Sequence, residues 1–233
     1  MIKIRHNEER GSAKHGWLQS KHSFSFADYY DPDYMGVSSL RVINDDIVAP
    51  GKGFDTHSHQ DMEIISYVKR GVIEHKDSMG NIETLPAGEF QLMTAGTGVT
   101  HSEYNPSPTD VLEFLQIWVE PNVLGIEPSY QQKRFEMVSG LQLIASADAR
   151  QGSLLIHQDV NVYQLMLDAN SSIEVECQAD RTIYMHMVAG ALEIDGQLLA
   201  EGDGATFKQT ALVVLNASTT VEALLFDLKD DLL

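Results

Sequence analysis

The chain has 233 residues and a single cysteine, Cys177. It can form neither an internal disulfide nor a thiolate metal cluster, and Cys177 reads as a small buried hydrophobe. Basic side chains are scarce: 16 Lys and Arg stand against 34 Asp and Glu, a formal net charge of -18. Such a field repels phosphate backbones and anionic lipid surfaces. The deficit is even, with 10 basic against 19 acidic residues in 1–130 and 6 against 15 in 131–233, so neither half is a nucleic-acid-binding arm. No apolar run approaches the roughly 20 residues that a membrane-spanning helix needs. The charged start from Met1 to Arg10 lacks the apolar core of a secretory signal. The expectation is a cytoplasmic, monomeric protein that binds neither nucleic acid nor membrane.

Long helical stripes are also missing. Apolar residues instead recur in short alternating runs broken by Gly, Asn, Asp and Pro, the pattern of many short strands. Strands are expected over 38–43, 63–68, 72–75, 90–93, 111–119, 154–157, 162–167, 182–187, 211–215 and 221–228. Their close spacing argues for an all-β sandwich or barrel with only a few short helices. Asp195-Gly196, set between 191–194 and 197–199, is the strongest hairpin signal, because a type I′ turn needs positive φ at both central residues.

All seven prolines lie at or before Pro128, and the stretch from Pro121 to Pro128 interrupts the strand pattern as a linker would. This places a first domain over 1–130 and a second over 131–233. Seven of the nine histidines fall in the first. A weak internal repeat makes the domains alike: Gly80, Pro86 and Gly88 frame a strand and tight turn, and Gly196, Gly202 and Gly204 do the same 116 residues later. Under that offset His57, His59 and His101 land on Ile173, Val175 and Ala217, none of which can bind a metal, so the second copy reads as a scaffold without a site.

The chemistry concentrates in His57-Ser-His59, with Glu63 four residues on, and in His101-Ser-Glu103. Residues two apart on a strand share a face, so each pair projects to one side. Two such strands facing across a barrel would bring three imidazoles and a carboxylate to one point. That donor set suits iron, manganese, nickel or zinc, and in an octahedral shell it leaves two positions open. Phe24, Phe26, Tyr30 and His22 alternate and either line a pocket or pack, packing being the preferred reading; Phe114 and Trp118 share parity on one strand and read as core in preference to a substrate platform. His75 and His186 read as hydrogen-bonded structural histidines.

These residues reach a known pattern. Gly51 with five residues before His57-x-His59, and Gly80 with five before Pro86-x-Gly88, resemble the cupin motifs. The expected second-motif histidine is replaced by Gln91, and the late His101-x-Glu103 is similar to the arrangement in the pirin family. The runs Arg10-Gly, His15-Gly-Trp17, His22-Ser-Phe-Ser-Phe26 and Tyr29-Tyr-Asp-Pro32 resemble the pirin-like quercetin 2,3-dioxygenases of bacteria. The resemblance implies an all-β bicupin with one divalent metal, Fe(II) by preference, held by His57, His59, His101 and Glu103. Zn, Mn, Ni, Co or Cu could take its place in purified protein. It further implies cleavage of a flavonol such as quercetin by O2, with Glu103 as the catalytic proton acceptor. The alternative is an iron-dependent regulator acting through a protein partner. Glu63 is read either as an outer-shell carboxylate orienting the imidazoles or as a strand-face carboxylate exposed to water.

Overall fold

The computed structural model describes residues 2–208 and 212–230. Among them, regular structure is almost entirely strand, and the helical elements are two 3-10 turns, Asn7–Glu9 and Arg150–Gly152. No helix of the described residues is long and apolar enough to cross a membrane. Ala211, at the start of one expected strand, lies outside the described residues; Leu212–Ala217 forms as expected.

The chain divides into two compact units. One comprises Gly11–Phe135 with Ile156–Gln158, and the other Met1–Arg10, Glu136–Leu155 and Asp159–Leu233. Each unit contains a seven-stranded and a four-stranded sheet. In the first unit the large sheet runs in the order 129–134, 89–94, 63–70, 112–119, 40–48, 18–22, 11–14, and the small one 53–59, 99–104, 72–77, 82–86. In the second the large sheet runs 2–5, 204–208, 181–189, 221–229, 160–167, 140–146, 154–155, and the small one 172–176, 212–217, 191–194, 197–200.

The compact units depart from the expected 1–130 and 131–233 at the chain's start, at the 130/131 limit and at Ile156–Gln158, which belongs to the first unit. Ile2–Arg5 pairs antiparallel with Gly204–Lys208, so the first ten residues belong to the second unit. Its two isoleucines are too short an alternation to read alone. Ser129–Arg134 straddles the expected limit at 130/131, yet all of it pairs with Glu89–Thr94 as an edge strand of the first unit. Edge strands face water on one side and tolerate polar residues, which is why Ser-Tyr-Gln-Gln-Lys-Arg carries no apolar alternation.

The cores follow from the alternation. Strands 63–70 and 112–119 lie central in the first large sheet, and Ile64, Ile65, Val68, Phe114, Leu115 and Ile117 are fully buried there. In the second unit one cluster gathers Val175, Met185, Leu192, Leu199, Phe207, Val213, Leu215 and Leu225 among others. The Asp195-Gly196 hairpin forms as expected, with φ of 51° and 74°, between Ala191–Ile194 and Gln197–Ala200.

Candidate metal centre

The two histidine motifs meet as neighbours in the small sheet of the first unit rather than across a barrel. Val99–Tyr104 lies between Gly53–His59 and Val72–Asp77, with His101 opposite His57 and Glu103 opposite His75. A register shift between His101 and Glu103 lets Glu103 pair with Phe54, the kind of bulge that re-aims side chains beside a site. Gly53 makes this closeness feasible: a Cβ there would collide with the Glu103 backbone oxygen and come within 2.6 Å of Tyr104 Cα.

The rings of His57, His59 and His101 form a triangle with centroid separations of 4.8, 4.4 and 4.9 Å. One ligand atom from each lies within 4.8 Å of the others, and the same holds for His75, His101 and Glu103. His57 Nδ1–H donates to the Asp55 carbonyl at 2.8 Å, which leaves Nε2 with its lone pair free for a ligand role. Asp55 in turn accepts the Tyr104 hydroxyl.

Buried polar atoms without partners are normally rare. Here they cluster: His59 Nε2, both ring nitrogens of His101, His75 Nδ1 and Glu103 Oε2 are buried with no hydrogen-bond partner. Donors of this type, gathered in two trios that share His101, fit a divalent transition ion. Burial, reinforced by His57, pushes the His59 pKa down to about 4. Burial followed by the neighbouring imidazoles takes His101 to about 2. Both are therefore neutral at ordinary pH, the form that binds a metal. Burial shifts Glu103 the other way, upward, and Ser66 Oγ–H donates to its Oε1 at 3.2 Å.

Glu63 falls outside this group. It is fully buried, which removes the exposed reading, and its carboxylate accepts from Thr94 Oγ1 at 3.0 Å and meets His157 Nδ1 at 3.3 Å. With those contacts it does not orient the imidazoles of the triangle. Burial raises its pKa against the lowering effect of His157.

A cavity of about 680 Å³ opens on the half-exposed His57 and His59. Trp17, Phe26, Phe54, Tyr104 and Trp118 supply aromatic wall, and His22, Asn44 and Gln116 supply polar edges. Trp118 stands edge-on to His59 at 5.0 Å and to Phe26 at 5.4 Å. Phe26, His22 and Trp118, expected as packing residues, thus line the cavity. Of that group only Phe24 and Phe114 are plain core, and Tyr30 is 72% exposed. Alternation along a strand reports which residues share a face; it does not tell whether that face meets a core or a cavity.

Two domains of this architecture, one carrying converging imidazoles beside an aromatic cavity, define a bicupin with a candidate metal centre. The pirin profile matches residues 3–119 and that of the quercetinase C-terminal cupin domain matches 143–228. The chain is 50% identical over 228 residues to quercetin 2,3-dioxygenase of Escherichia coli (strain K12), covering 98% of this chain and 99% of that one. It is 39% identical to a pirin-like protein of Caulobacter vibrioides, covering 97% and 99%. The structure of the bacterial pirin YhhW from Escherichia coli in complex with nickel(II) superposes with a TM-score of 0.96 at 49% identity, covering 99% of this chain and 100% of that chain. This chain belongs to the pirin family.

Proposed function

We propose that the protein is a metal-dependent dioxygenase that cleaves flavonols such as quercetin with O2, its metal held by His57, His59, His101 and Glu103. The observation that carries this reading is the open cavity above the imidazoles. At about 680 Å³ it is of the size that takes a drug-sized molecule, and its aromatic walls suit a flat ring system. A regulator that used only the oxidation state of an ion would need no such space. The relatives named quercetin 2,3-dioxygenase support the same substrate class.

A bound divalent metal, Fe(II) in this reading, supplies the Lewis acidity and electron transfer that let dioxygen and a deprotonated flavonol react. The chain's own residues do the rest. Trp118 and Phe26 hold the ring system near His59, and the flanking aromatic side chains exclude water from the cavity floor. Glu103 Oε2, unpartnered and buried, accepts the 3-hydroxyl proton, while Ser66 fixes the other carboxylate oxygen. An upward-shifted carboxylate is the stronger base once ionised, as general-base catalysis requires.

The test is anaerobic loading of the metal-free protein with Fe(II), then oxygen uptake and carbon monoxide release with quercetin, with Glu103→Gln alongside. The expected result is uptake in the parent and a loss of at least about 10²-fold in the variant. Tight iron binding with no oxygen uptake on any flavonol would overturn the reading.

A further inference from the structure

His75 is not used by the proposed four-residue ligand set, yet it is built as a ligand would be. The ring is fully buried and its Nε2 lies 3.0 Å from Asp77 Oδ2, whose side chain is equally inaccessible. Asp77 is itself held by the Met79 and Asn81 backbone N–H groups at 2.9 and 3.0 Å and by the Asn81 side-chain amide at 2.8 Å. Burial pushes the Asp77 pKa up, and the bonds from Asn81 and His75 outweigh it, so the net shift is downward. A carboxylate on one ring nitrogen fixes the tautomer and turns the other nitrogen into a lone-pair donor, which is how metal-binding imidazoles are commonly backed. That other nitrogen, Nδ1, is buried without a partner. The ring sits 5.4 Å from that of His101, and Glu103 stands directly opposite on the adjacent strand.

We propose that His75, His101 and Glu103 form a second, inner position for a divalent transition ion, alternative to the outer position on His57 and His59. Two imidazoles and one carboxylate on one face are a recognised donor set for Fe(II) and similar ions. The inference rests on the ligand reading above, because His101 and Glu103 serve both positions. Sharing them limits the site to one ion at a time, in either place. The positions differ in access: His75, His101 and Glu103 are at most 2% exposed, whereas His57 and His59 line the cavity. An ion in the inner position is withdrawn from substrate.

Co(II), whose visible absorption reports the number and type of its ligands, is the probe. The full-length protein is titrated with Co(II) alone as parent, as His57→Ala/His59→Ala, and as His57→Ala/His59→Ala/His75→Ala, with circular dichroism confirming the β fold of each. The double variant is expected to keep one Co(II) per chain, with a spectrum unlike the parent's. Adding His75→Ala then weakens binding beyond the roughly 10–100-fold that loss of an outer partner costs. A folded double variant that binds no Co(II), while the parent binds one, overturns the inner position and leaves the outer one standing. A parent that binds none sinks both. If the double variant does not fold, His57→Gln/His59→Gln replaces it, and its failure to bind is read the same way.

Discussion

The two units carry the same strand order and opposite interiors. In the small sheet of the first, His57 faces His101, His59 faces Val99, and His75 faces Glu103. In the small sheet of the second, Ile173 faces Leu215, Val175 faces Val213, and Leu192 faces Ala217. Five ionisable side chains in one frame are thus matched by Ile173, Val175, Leu215, Leu192 and Ala217 in the other, and these join a single apolar cluster. The second unit shows what the frame does with no site to serve: it fills with aliphatic carbon. The first unit keeps several buried donors and acceptors unpaired at that place, each costing about 1–3 kcal/mol relative to a satisfied group. A fold able to bury leucine there and burying histidine instead has given up stability for a ligand.

That contrast can be broken from either side. Leu215→His places an imidazole among aliphatic neighbours with no partner, losing apolar burial and adding an unsatisfied polar group. The cost should be about 3–5 kcal/mol, read by urea denaturation. A change below about 1 kcal/mol would mean that the second unit tolerates a polar interior and that its apolar filling is incidental. The converse substitution, His101→Leu, should abolish metal binding and yet raise the stability of the chelator-treated protein by about 1–3 kcal/mol, because it removes two unpartnered buried nitrogens. A lower melting temperature without metal would show that His101 contributes packing that leucine cannot supply. A smaller effect sharpens the likeness of the two hairpins. Gly196, at φ 74°, should cost about 1 kcal/mol when replaced by Ala, since an L side chain is strained in the left-handed region.

Much of this was legible in the residues. The strand pattern, the Asp195-Gly196 turn, the convergence of His57, His59 and His101, and the apolar character of the second copy all follow from period-two alternation, turn chemistry and residue type. Register was not. A uniform offset of 116 sets Ala217 against His101, whereas strand pairing sets Leu215 there, because the chain between the paired strands is two residues shorter in the second unit: Val99 follows its partner His59 by 40 positions, and Val213 follows its partner Val175 by 38. His75 and Trp118 were read as structural and packing residues. Their significance lies in what stands across the sheet from them, which spacing along one strand cannot reveal. The same limit applies to Glu63: its partner His157 is 94 residues away, brought back to the first unit by the short segment Ile156–Gln158.

The termini of the comparison offer its weakest handle. The second unit takes its edge strand from the chain's start, and Asp203 secures that start by accepting from the Asn7 backbone N–H at 2.7 Å and meeting His6 Nδ1 at 3.2 Å. The hydrogen bond to Asp203 raises the His6 pKa above 6.5. A group whose folded pKa is raised contributes stability that is fully present below its unfolded value and lost as pH rises through the folded one. His6 is 44% exposed in its side chain, so solvent screens the pair and its worth stays below about 1 kcal/mol. The stability difference between the parent and His6→Gln should therefore be small and positive at pH 5.5 and shrink toward zero by pH 8. A difference that grew with pH would mean that neutral His6 is the form Asp203 holds. It would leave the Asn7 bond to secure the strand alone, much as Ser129–Arg134 is secured in the first unit without a histidine at its edge.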